Sequence, residues 1–384
     1  MSSIKSIPKS DVLIVGGGIM GSSAAFFLRQ RGRSVRLLES GLIGRQASGT
    51  NFGNIRRQGR PLDQLPISNR AIEIWRKASQ LLGSDVEYVQ GGHMRVCYKD
   101  RPEYIEIFEK YSKEAAETGL DLEILNSNEL RSRFPFLGPN CLAGSYSANC
   151  GHANPRLASL AFARSAQRDG AVIHEHTLVT QVEKEGEDFR VTTEDGSVFE
   201  APILLIMAGA WGDILSRQFG EPVPLVARAP TMSVTEPVPY QIPQTIGVAT
   251  PLEEETVYFR QVKRGNVIIG GSTRAPAYRN VERAYVEPEN TLSQIREIRK
   301  FVPPLAKLNI IRVWSGVEGY LPDAQPVMGL SPKVSGLHYA FGFSGSGFQI
   351  GPAVGDIMAE LIDTGATNID LSHYDMKRFQ KSIV

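Results

Sequence analysis

The chain has 384 residues, more than one compact core usually holds, so two domains are expected. Its 42 Lys and Arg residues are balanced by 41 Asp and Glu residues, and a formal net charge of +1 argues against nucleic acid or an anionic membrane as a partner. No apolar run is long enough to span a bilayer, which favours a cytoplasmic protein.

The first predicted element is a buried strand at residues 12–15, VLIV, an apolar run typical of parallel strands. Gly16, Gly18 and Gly21 follow it as GxGxxG. The first glycine permits a tight turn, the second lets the backbone approach a pyrophosphate, and the third lets a helix pack closely on the sheet. That helix is predicted at residues 22–31, and its N-terminus offers free N–H groups to phosphates.

The second predicted strand, at residues 35–38, ends at Glu39, about 20 residues beyond the glycines. A carboxylate at this position can accept hydrogen bonds from ribose hydroxyls and disfavours a 2′-phosphate. Strand, turn, helix, strand and acid therefore follow the order of a dinucleotide-binding unit. NAD and FAD share this fingerprint, so the unit alone leaves the dinucleotide open.

Residues 40–61, SGLIGRQASGTNFGNIRRQGRP, are polar and glycine-rich and predict a long functional loop rather than a helix. Ser48 and Gly49 offer hydrogen bonds to a diphosphate or a flavin ring. Arg56, Arg57 and Arg60 cluster at the end of the loop. For Arg57 and Arg60 the pattern favours a solvated basic turn.

Helical spacing and short strands alternate through the rest of the chain. Helices are predicted at residues 67–82, 102–118, 125–134, 156–168 and 287–301. The strand signals predict a strand at residues 91–98, a hairpin at 189–201 and an antiparallel pair at 256–262 and 266–272.

Two further turns of small residues each follow an apolar strand. The strand in APILLIMAGAW leads into Ala208, Gly209 and Trp211, and the strand HYAF leads into the glycine-dense GFSGSGFQIG and a final helix. Ligands bind at the carboxyl ends of the strands in open parallel sheets, so both turns are candidates for lining a cofactor.

Three cysteines occur in the chain, at Cys97, Cys141 and Cys150. They have neither metal-ligand spacing nor a CxxC motif. We therefore expect reduced thiols that pack as small hydrophobic residues, and no metal site.

Taken together, these segments resemble the D-amino acid oxidase superfamily of flavoproteins, in the branch that includes glycine oxidase, sarcosine oxidase beta subunits and dye-linked L-proline dehydrogenases. The resemblance covers essentially the whole chain and is carried by VGGGIMGSSAAFFL, CGHANP, MAGAW, YFRQVKRGNVIIGG, WSGVEGYLPDAQPVMG and GFSGSGFQIGPAVG. It implies an α+β and α/β two-domain flavoprotein. A Rossmann-like, GR2-type FAD-binding domain is paired with a substrate domain on a mixed, largely antiparallel sheet.

The resemblance implies a discontinuous FAD-binding domain at residues 1–88, 148–218 and 325–384, and a substrate-binding domain at 89–147 and 219–324. FAD is expected to bind without a covalent link, since no Cys or His stands where covalent relatives carry theirs. The cofactor-binding residues that the resemblance implies are Gly16, Gly18, Gly21, Glu39, Ser40, Ser48, Gly49, Val179, Ala208, Gly209, Trp211, Gly345, Gly347, Phe348 and Gln349.

The substrate-side motifs depart from the family in three places. Glycine and D-amino acid oxidases carry WxGxRP, whose arginine clamps the substrate carboxylate, whereas Glu318 stands at that position here. A carboxylate there favours a cation instead. The other two departures are Leu321, in place of threonine, and Ser346, in place of the histidine of several relatives. Arg56 is in register with the arginine that binds the carboxylate in sarcosine oxidases and proline dehydrogenase.

These residues predict oxidation of the C–N bond of a secondary or N-substituted amino acid such as sarcosine, proline, hydroxyproline or an opine. Hydride transfer to the flavin is followed by imine hydrolysis. The candidate catalytic residues are Arg56, Tyr258, Glu318 and Ser346, where Tyr258 is in the register of a substrate-site tyrosine of glycine oxidase. Oxygen or an electron-accepting partner completes the reaction.

Three alternatives stay open at this point. The chain can be the FAD-binding subunit of a heteromeric dye-linked amino-acid dehydrogenase, in which partner subunits take the electrons. It can also be a glycine or D-amino acid oxidase. A nicotinamide-dependent dehydrogenase is disfavoured by the C-terminal glycine turn.

Overall fold

A computed structural model describes residues 7–380, so the outermost residues of the predicted FAD-binding domain, 1–6 and 381–384, lie outside it. The helices of the described range, numbered in chain order, are α1 Ile19–Gln30, α2 Ala47–Thr50, α3 Leu65–Leu82, α4 Tyr104–Ala116, α5 Ser127–Arg133, α6 Pro155–Arg168, α7 Gly212–Ser216, α8 Pro288–Phe301, α9 Gly347–Thr364 and α10 Lys377–Gln380.

A six-stranded sheet carries the dinucleotide fingerprint. Its strands are β1 Val12–Val15, β2 Val35–Leu38, β8 Val172–His174, β12 Ile203–Ile206, β20 Val327–Leu330 and β21 Leu337–Phe341, in the order β20-β21-β12-β1-β2-β8. All neighbours are parallel except the antiparallel pair of β20 and β21. Every residue of β1 is buried, because helices cover one face of this strand and a small three-stranded sheet, at residues 179–201, covers the other.

The second large sheet has ten strands and is mostly antiparallel. Its members are β4 His93–Tyr98, β5 Glu123–Leu125, β6 Cys141–Ser147, β13 Val226–Pro237, β14 Thr245–Val248, β15 Val257–Gln261, β16 Asn266–Tyr278, β17 Arg283–Ala284, β18 Ile310–Ser315 and β19 Glu318–Tyr320. Only the β14–β4 pair is parallel. The two sheets thus have the architecture that the resemblance implies.

Two small sheets complete the strand inventory of residues 7–380. One is the three-stranded antiparallel sheet of β9 Val179–Glu185, β10 Asp188–Thr193 and β11 Val198–Ala201. The other pairs β3 Asn54–Ile55 with β7 Gly151–His152. The six-stranded sheet draws on the three segments assigned above to the FAD-binding domain, and the ten-stranded sheet draws on the other two. We propose that division of the chain on this basis.

Most predicted elements are confirmed within a few residues. The strand at residues 35–38 has the expected bounds, and the hairpin turn at 194–197 joins β10 and β11. The first helix begins three residues earlier than predicted, at Ile19, because the glycine turn ends at Gly18. The expectation that residues 40–61 contain no helix is wrong. Ala47–Thr50 form one helical turn, and the Asn51 amide donates to the carbonyl oxygens of Ala47 and Ser48.

Helices α1 and α9 lie on one face of the six-stranded sheet and pack closely against each other. A Cβ added at Gly351 would lie 2.6 Å from the Ile19 side chain, and one added at Gly355 would lie 2.1 Å from Ser23 Oγ. The Ser23 hydroxyl also donates to the Gly351 carbonyl oxygen at 3.2 Å. Glycine on α9 is therefore what allows the two helix backbones to meet.

The three cysteines are free and buried, as expected of small core residues. No helix within residues 7–380 is both long enough and apolar enough to cross a membrane.

Candidate active site

A cavity of about 570 Å³ is lined by residues at the carboxyl ends of β1, β2 and β12 and by residues of the ten-stranded sheet. Four candidate catalytic residues and thirteen of the fifteen candidate cofactor residues line it. They are Gly16, Gly18, Glu39, Ser40, Ser48, Arg56, Val179, Ala208, Gly209, Trp211, Tyr258, Glu318, Gly345, Ser346, Gly347, Phe348 and Gln349.

Gly21 and Gly49 do not line the cavity. A Cβ at Gly21 would lie 1.9 Å from the Gly16 carbonyl oxygen, and one at Gly49 would lie 2.2 Å from the Gly44 carbonyl oxygen. Both glycines allow backbone segments to pack closely behind the cavity wall. A cofactor contact at Gly21 or Gly49 stays a prediction, and this geometry favours structural support of the cavity wall.

Gly16 makes the tight turn that the fingerprint predicts. Its φ of +110° favours glycine, and a Cβ there would lie 2.4 Å from the Met207 carbonyl oxygen. Gly18 then caps α1 without a side-chain bond, while the Ile19 N–H donates to Ser48 Oγ at 2.9 Å. The start of α1 consequently faces the cavity with backbone at its surface.

Glu39 lies at the end of β2, where the sequence places a ribose acceptor. Its carboxylate already accepts the Gly17 N–H at 2.7 Å and the Gly41 N–H at 2.8 Å. Burial raises the pKa of this carboxyl group, and the two backbone N–H groups oppose that effect. These two hydrogen bonds hold the carboxylate at the carboxyl end of β2.

The donor set of the cavity fits a dinucleotide with a flavin ring. The N-termini of α1 and α9 both line it, and the N-cap residues Gly18 and Ser346 make no side-chain bond to the N–H groups of their helices. Such helix starts present unsatisfied N–H groups and a positive dipole end to an anion or a ring oxygen. At the second helix start, Gln349 Nε2 donates to the Ser68 carbonyl oxygen, while its buried Oε1 has no partner in the described chain. Gly16, Gly18 and Glu39 would hold the adenosine half, and residues 345–349 the ring.

Arg56 and Arg57 have different environments although they are neighbours. Arg56 lines the cavity, and its Nη1 donates to the Gln58 carbonyl oxygen at 2.5 Å. Arg57 is only 6% exposed, and its Nη1 donates to Asn69 Oδ1 at 2.8 Å. The expectation of a solvated turn at Arg57 is wrong, because the start of α3 and the loop after α4 enclose it. The same expectation is wrong for Arg60, which lines the cavity.

Arg56, Arg60 and Arg95 all line the cavity and form an arginine cluster next to β4. A Cβ at Gly59 would lie 2.6 Å from Arg95 Nη1 and 3.2 Å from Arg56 Nη1, so these two guanidinium groups converge on one backbone position. Burial, reinforced by the Arg95 charge, lowers the pKa of Arg56 to about 10. Burial and the Arg56 charge lower the pKa of Arg60 well below its usual range, and burial lowers the pKa of Arg95. A guanidinium group nevertheless keeps its proton at neutral pH in proteins.

His93, on β4, adjoins the arginine cluster. Gln58 Nε2 lies 2.7 Å from His93 Nδ1, and the same amide donates to the His93 carbonyl oxygen. Burial and the three guanidinium groups hold the pKa of His93 well below its usual range. The imidazole is thus neutral, and it adds no charge to the cluster.

Glu318 belongs to a chain of hydrogen-bonded polar groups that also line the cavity. The Tyr320 hydroxyl donates to Glu318 Oε2 at 2.7 Å, and Arg274 Nε donates to the Tyr320 oxygen at 2.9 Å. Arg274 in turn pairs with Glu253. Burial raises the pKa of Glu318, against the opposing effects of Tyr320 and Arg274. A Cβ at Gly345 would lie 4.0 Å from Glu318 Oε2, so this carboxyl group adjoins the C-terminal glycine turn.

Tyr258, on β15, lines the cavity near both Arg56 and Glu318. Its ring packs edge-on against Phe52, with 4.7 Å between the ring centroids. Burial, with a contribution from the Glu318 carboxylate, raises the pKa of the Tyr258 hydroxyl to about 12. The phenol therefore stays protonated at neutral pH and is available as a hydrogen-bond donor.

Ser346 lies in the C-terminal glycine turn, but its hydroxyl is engaged. It donates to the Phe343 carbonyl oxygen at 2.6 Å and accepts a long contact from Gln64 Nε2 at 3.5 Å. Leu321, the other small departure, is buried, and its N–H donates to Ser344 Oγ. A proton-handling role for Ser346 stays a prediction, and this geometry favours a turn-shaping role.

Sequence reasoning missed Arg95, Arg274 and Tyr320, and misjudged Arg60. Arg95 carried a usable signal, because it is a charged residue in the middle of the otherwise buried strand HMRVCY. Tyr320 stands two residues after Glu318 on a strand, and period-2 alternation places both side chains on one face. The contact of Arg274 with Tyr320 carries no comparable local signal.

The parallel sheet, the glycine turn and the cavity at the carboxyl ends of the strands are the features of a dinucleotide-binding oxidoreductase. Residues 11–361 match the family model described as DAO, FAD dependent oxidoreductase. The chain belongs to this family and is an FAD-dependent oxidoreductase, which confirms the resemblance and the cofactor.

Several relatives span nearly the whole chain. Glycine oxidase of Bacillus licheniformis is 24% identical, with 92% of each chain covered. An opine oxidase subunit of Rhizobium meliloti is 26% identical over 96% of this chain and 97% of its own. Among solved structures, L-proline dehydrogenase from P. horikoshii superposes with a TM-score of 0.90 at 27% identity, covering 98% of this chain and 99% of the other.

Proposed function

We propose that the protein oxidises the C–N bond of a secondary or N-substituted amino acid of the sarcosine, proline, hydroxyproline or opine type. The coarser reaction, C–N oxidation of an amino acid, is supported by relatives that include glycine oxidase, sarcosine dehydrogenase and the opine oxidase subunit. The observation that carries the finer proposal is a single cavity lined by both Arg56 and Glu318, with Tyr258 close enough to both for their charges to act on its hydroxyl.

The division of labour follows from these charges. Arg56 would bind the substrate carboxylate by charge-assisted hydrogen bonds, and Tyr258 would add a neutral donor beside it. FAD bound in this cavity would supply the hydride acceptor for oxidation of the carbon next to the amine nitrogen, and hydrolysis of the imine would release the product. Glu318, when ionised, would attract a second, positively charged group of the substrate, such as the guanidinium of an arginine-derived opine. Binding and orientation are the contributions of the protein.

An anaerobic half-reaction tests this function. The FAD-loaded protein is mixed with glycine, D-alanine, sarcosine, L-proline, hydroxyproline and an arginine-derived opine, and bleaching of the visible flavin bands is followed. We expect the secondary amines to bleach the flavin faster than the primary ones. Equal or faster bleaching by glycine or D-alanine would instead establish a glycine or D-amino acid oxidase.

A second candidate is that the chain is the FAD-binding subunit of a heteromeric dehydrogenase. The observation that favours it is the end-to-end match with the opine oxidase subunit of Rhizobium meliloti. Admitting air after bleaching separates the two cases. Rapid return of colour supports an oxidase, whereas slow return with fast reduction of an artificial dye supports a dehydrogenase that passes electrons to partner subunits.

Glu318→Gln should remove an acid limb from the pH profile. The raised pKa of Glu318 means that its carboxyl group is neutral at low pH and gains its charge only above its ordinary range. For an arginine-derived opine, kcat/KM should therefore rise with pH as Glu318 ionises, and Glu318→Gln should flatten that rise. Sarcosine, which has no second cation, serves as the matched substrate. Equal effects on both substrates would contradict a contact between Glu318 and the second cation.

A further inference from the structure

The arginine cluster holds more positive charge than one amino acid carboxylate can balance. Within residues 7–380, no carboxylate oxygen lies within the 4.0 Å ion-pair distance of Arg56, Arg60 or Arg95. The neighbours of Arg60 that favour its charge are Tyr111 and Cys150, both ordinarily neutral groups. Buried cations without counter-ions are costly, so such a cluster indicates a site for anionic ligand groups.

Arg60 is the residue to which this argument applies most strongly. Its Nε is buried and has no hydrogen-bond partner in the described chain. Arg57 Nε and Arg101 Nε are likewise buried without a partner in the described chain, but neither residue lines the cavity, whereas Arg260 Nε donates to the Phe52 carbonyl oxygen at 2.6 Å. Arg60 lines the cavity and lacks such a partner for Nε.

Arg95 is held in place by neutral groups only. Its guanidinium lies over the Phe108 ring, 5.8 Å from the centroid, which orients the group without neutralising it. Arg95 Nη1 and Arg56 Nη1 both lie close to the position of a Cβ on Gly59, and both residues line the cavity, so one anionic ligand can reach both. Planar guanidinium groups match carboxylates in two-point hydrogen bonding.

We propose that Arg60 and Arg95 form a second carboxylate subsite beside Arg56, so that the substrate is an N-substituted amino acid with two carboxylates. The inference rests on the proposed function for the amine and deepens it by naming the substrate class. Arg56 binds the carboxylate next to the reacting carbon, and the second carboxylate, on the N-substituent or the side chain, is bound by the other two arginines.

Unreactive ligands test the subsite separately from catalysis. Butyrate and glutarate differ by one added carboxylate, and neither contains an amine to oxidise. Isothermal titration of the FAD-loaded protein should give glutarate a Kd about tenfold or more below that of butyrate. Arg60→Gln and Arg95→Gln should each reduce that ratio to about threefold or less, and Arg60→Lys should restore part of it.

The matched control is Arg264→Gln, which changes an exposed arginine on the β15–β16 turn and should keep the ratio. Equal Kd values for butyrate and glutarate in the unchanged protein would overturn the subsite, as would Arg60→Gln and Arg95→Gln proteins that keep the full ratio. Inorganic phosphate that binds more tightly than glutarate would overturn the assignment to a carboxylate.

A turnover comparison separates this proposal from the function on which it rests. Iminodiacetate is sarcosine with a carboxylate on its N-methyl group, and we expect it to bleach the flavin with the higher second-order rate. Arg60→Gln should lower the iminodiacetate rate about tenfold more than the sarcosine rate. Fast bleaching by sarcosine with no gain for glutarate binding would leave the proposed function and remove the subsite. Tight glutarate binding with no bleaching by any amine would support the subsite and contradict the proposed function.

Discussion

Replacing Arg56 with glutamine should lower kcat/KM for the amino acid substrate by about 30-fold to about 4,000-fold, because losing one partner of a buried charge pair typically costs about 2–5 kcal/mol. The loss should fall mainly on KM, since the carboxylate is bound in the ground state as well as in the transition state. Steady-state kinetics with sarcosine and L-proline measure both constants. FAD content should stay the same, because Arg56 is proposed to bind the substrate and not the cofactor.

The control for Arg56 is Arg264→Gln on the exposed β15–β16 turn, which should keep wild-type kinetics. Arg56→Lys keeps the charge and loses the planar two-point geometry, so it should recover part of the affinity. A KM for Arg56→Gln within threefold of the wild-type value would contradict carboxylate binding by this residue.

Gly18→Val should abolish tight FAD binding, with an affinity loss of about 100-fold or more, because the added side chain occupies the space through which a pyrophosphate approaches the start of α1. The backbone conformation of Gly18, φ −69° and ψ −173°, is accessible to valine, so the turn itself is not strained. A Cβ would lie 2.9 Å from Ser48 Oγ, on the cavity side. The ratio of visible to ultraviolet absorbance of the purified protein measures the bound FAD.

Gly32→Asn is the matched change at the other end of α1. A Cβ there meets no atom within 4 Å, and asparagine tolerates the φ of +80° better than other side chains. This variant should keep its FAD, and both variants should keep the far-ultraviolet circular dichroism of the folded protein. A Gly18→Val protein that is purified with full FAD would mean that the dinucleotide does not pass this glycine.

The dinucleotide unit is readable from sequence because its determinants are local. Gly16 has a positive φ and lies against backbone, so glycine is required at that position and the motif records it. The bounds of β2 and the position of Glu39 follow from the apolar run VRLL and the acid after it. What could not be read is that Glu39 also binds the Gly17 and Gly41 N–H groups, since these bonds depend on how two turns meet.

The candidate substrate site is less readable because its burial is decided by distant segments. Arg57 and Arg60 stand in a basic, glycine-containing stretch that is typical of solvated turns. They are enclosed because Tyr111, on α4, donates its hydroxyl to the Arg60 carbonyl oxygen, and Asn69, on α3, binds the Arg57 side chain. Arg95 joins Arg56 only through the register of β4. Such distant partners cannot be predicted from the residues that flank an arginine in the sequence.

The close contact of α1 with α9 has a consequence for how specificity can change. The starts of both helices line the cavity, and the glycines of α9 allow the two helices to pack closely. We therefore expect the helix pair that would hold the cofactor to move as one unit. We expect a mutation that shifts one helix start to shift the other as well and to lower the affinity for FAD. Laboratory evolution toward a new amine should therefore spare this helix pair and vary the strand positions that face it from the other sheet, Arg95, Tyr258 and Glu318.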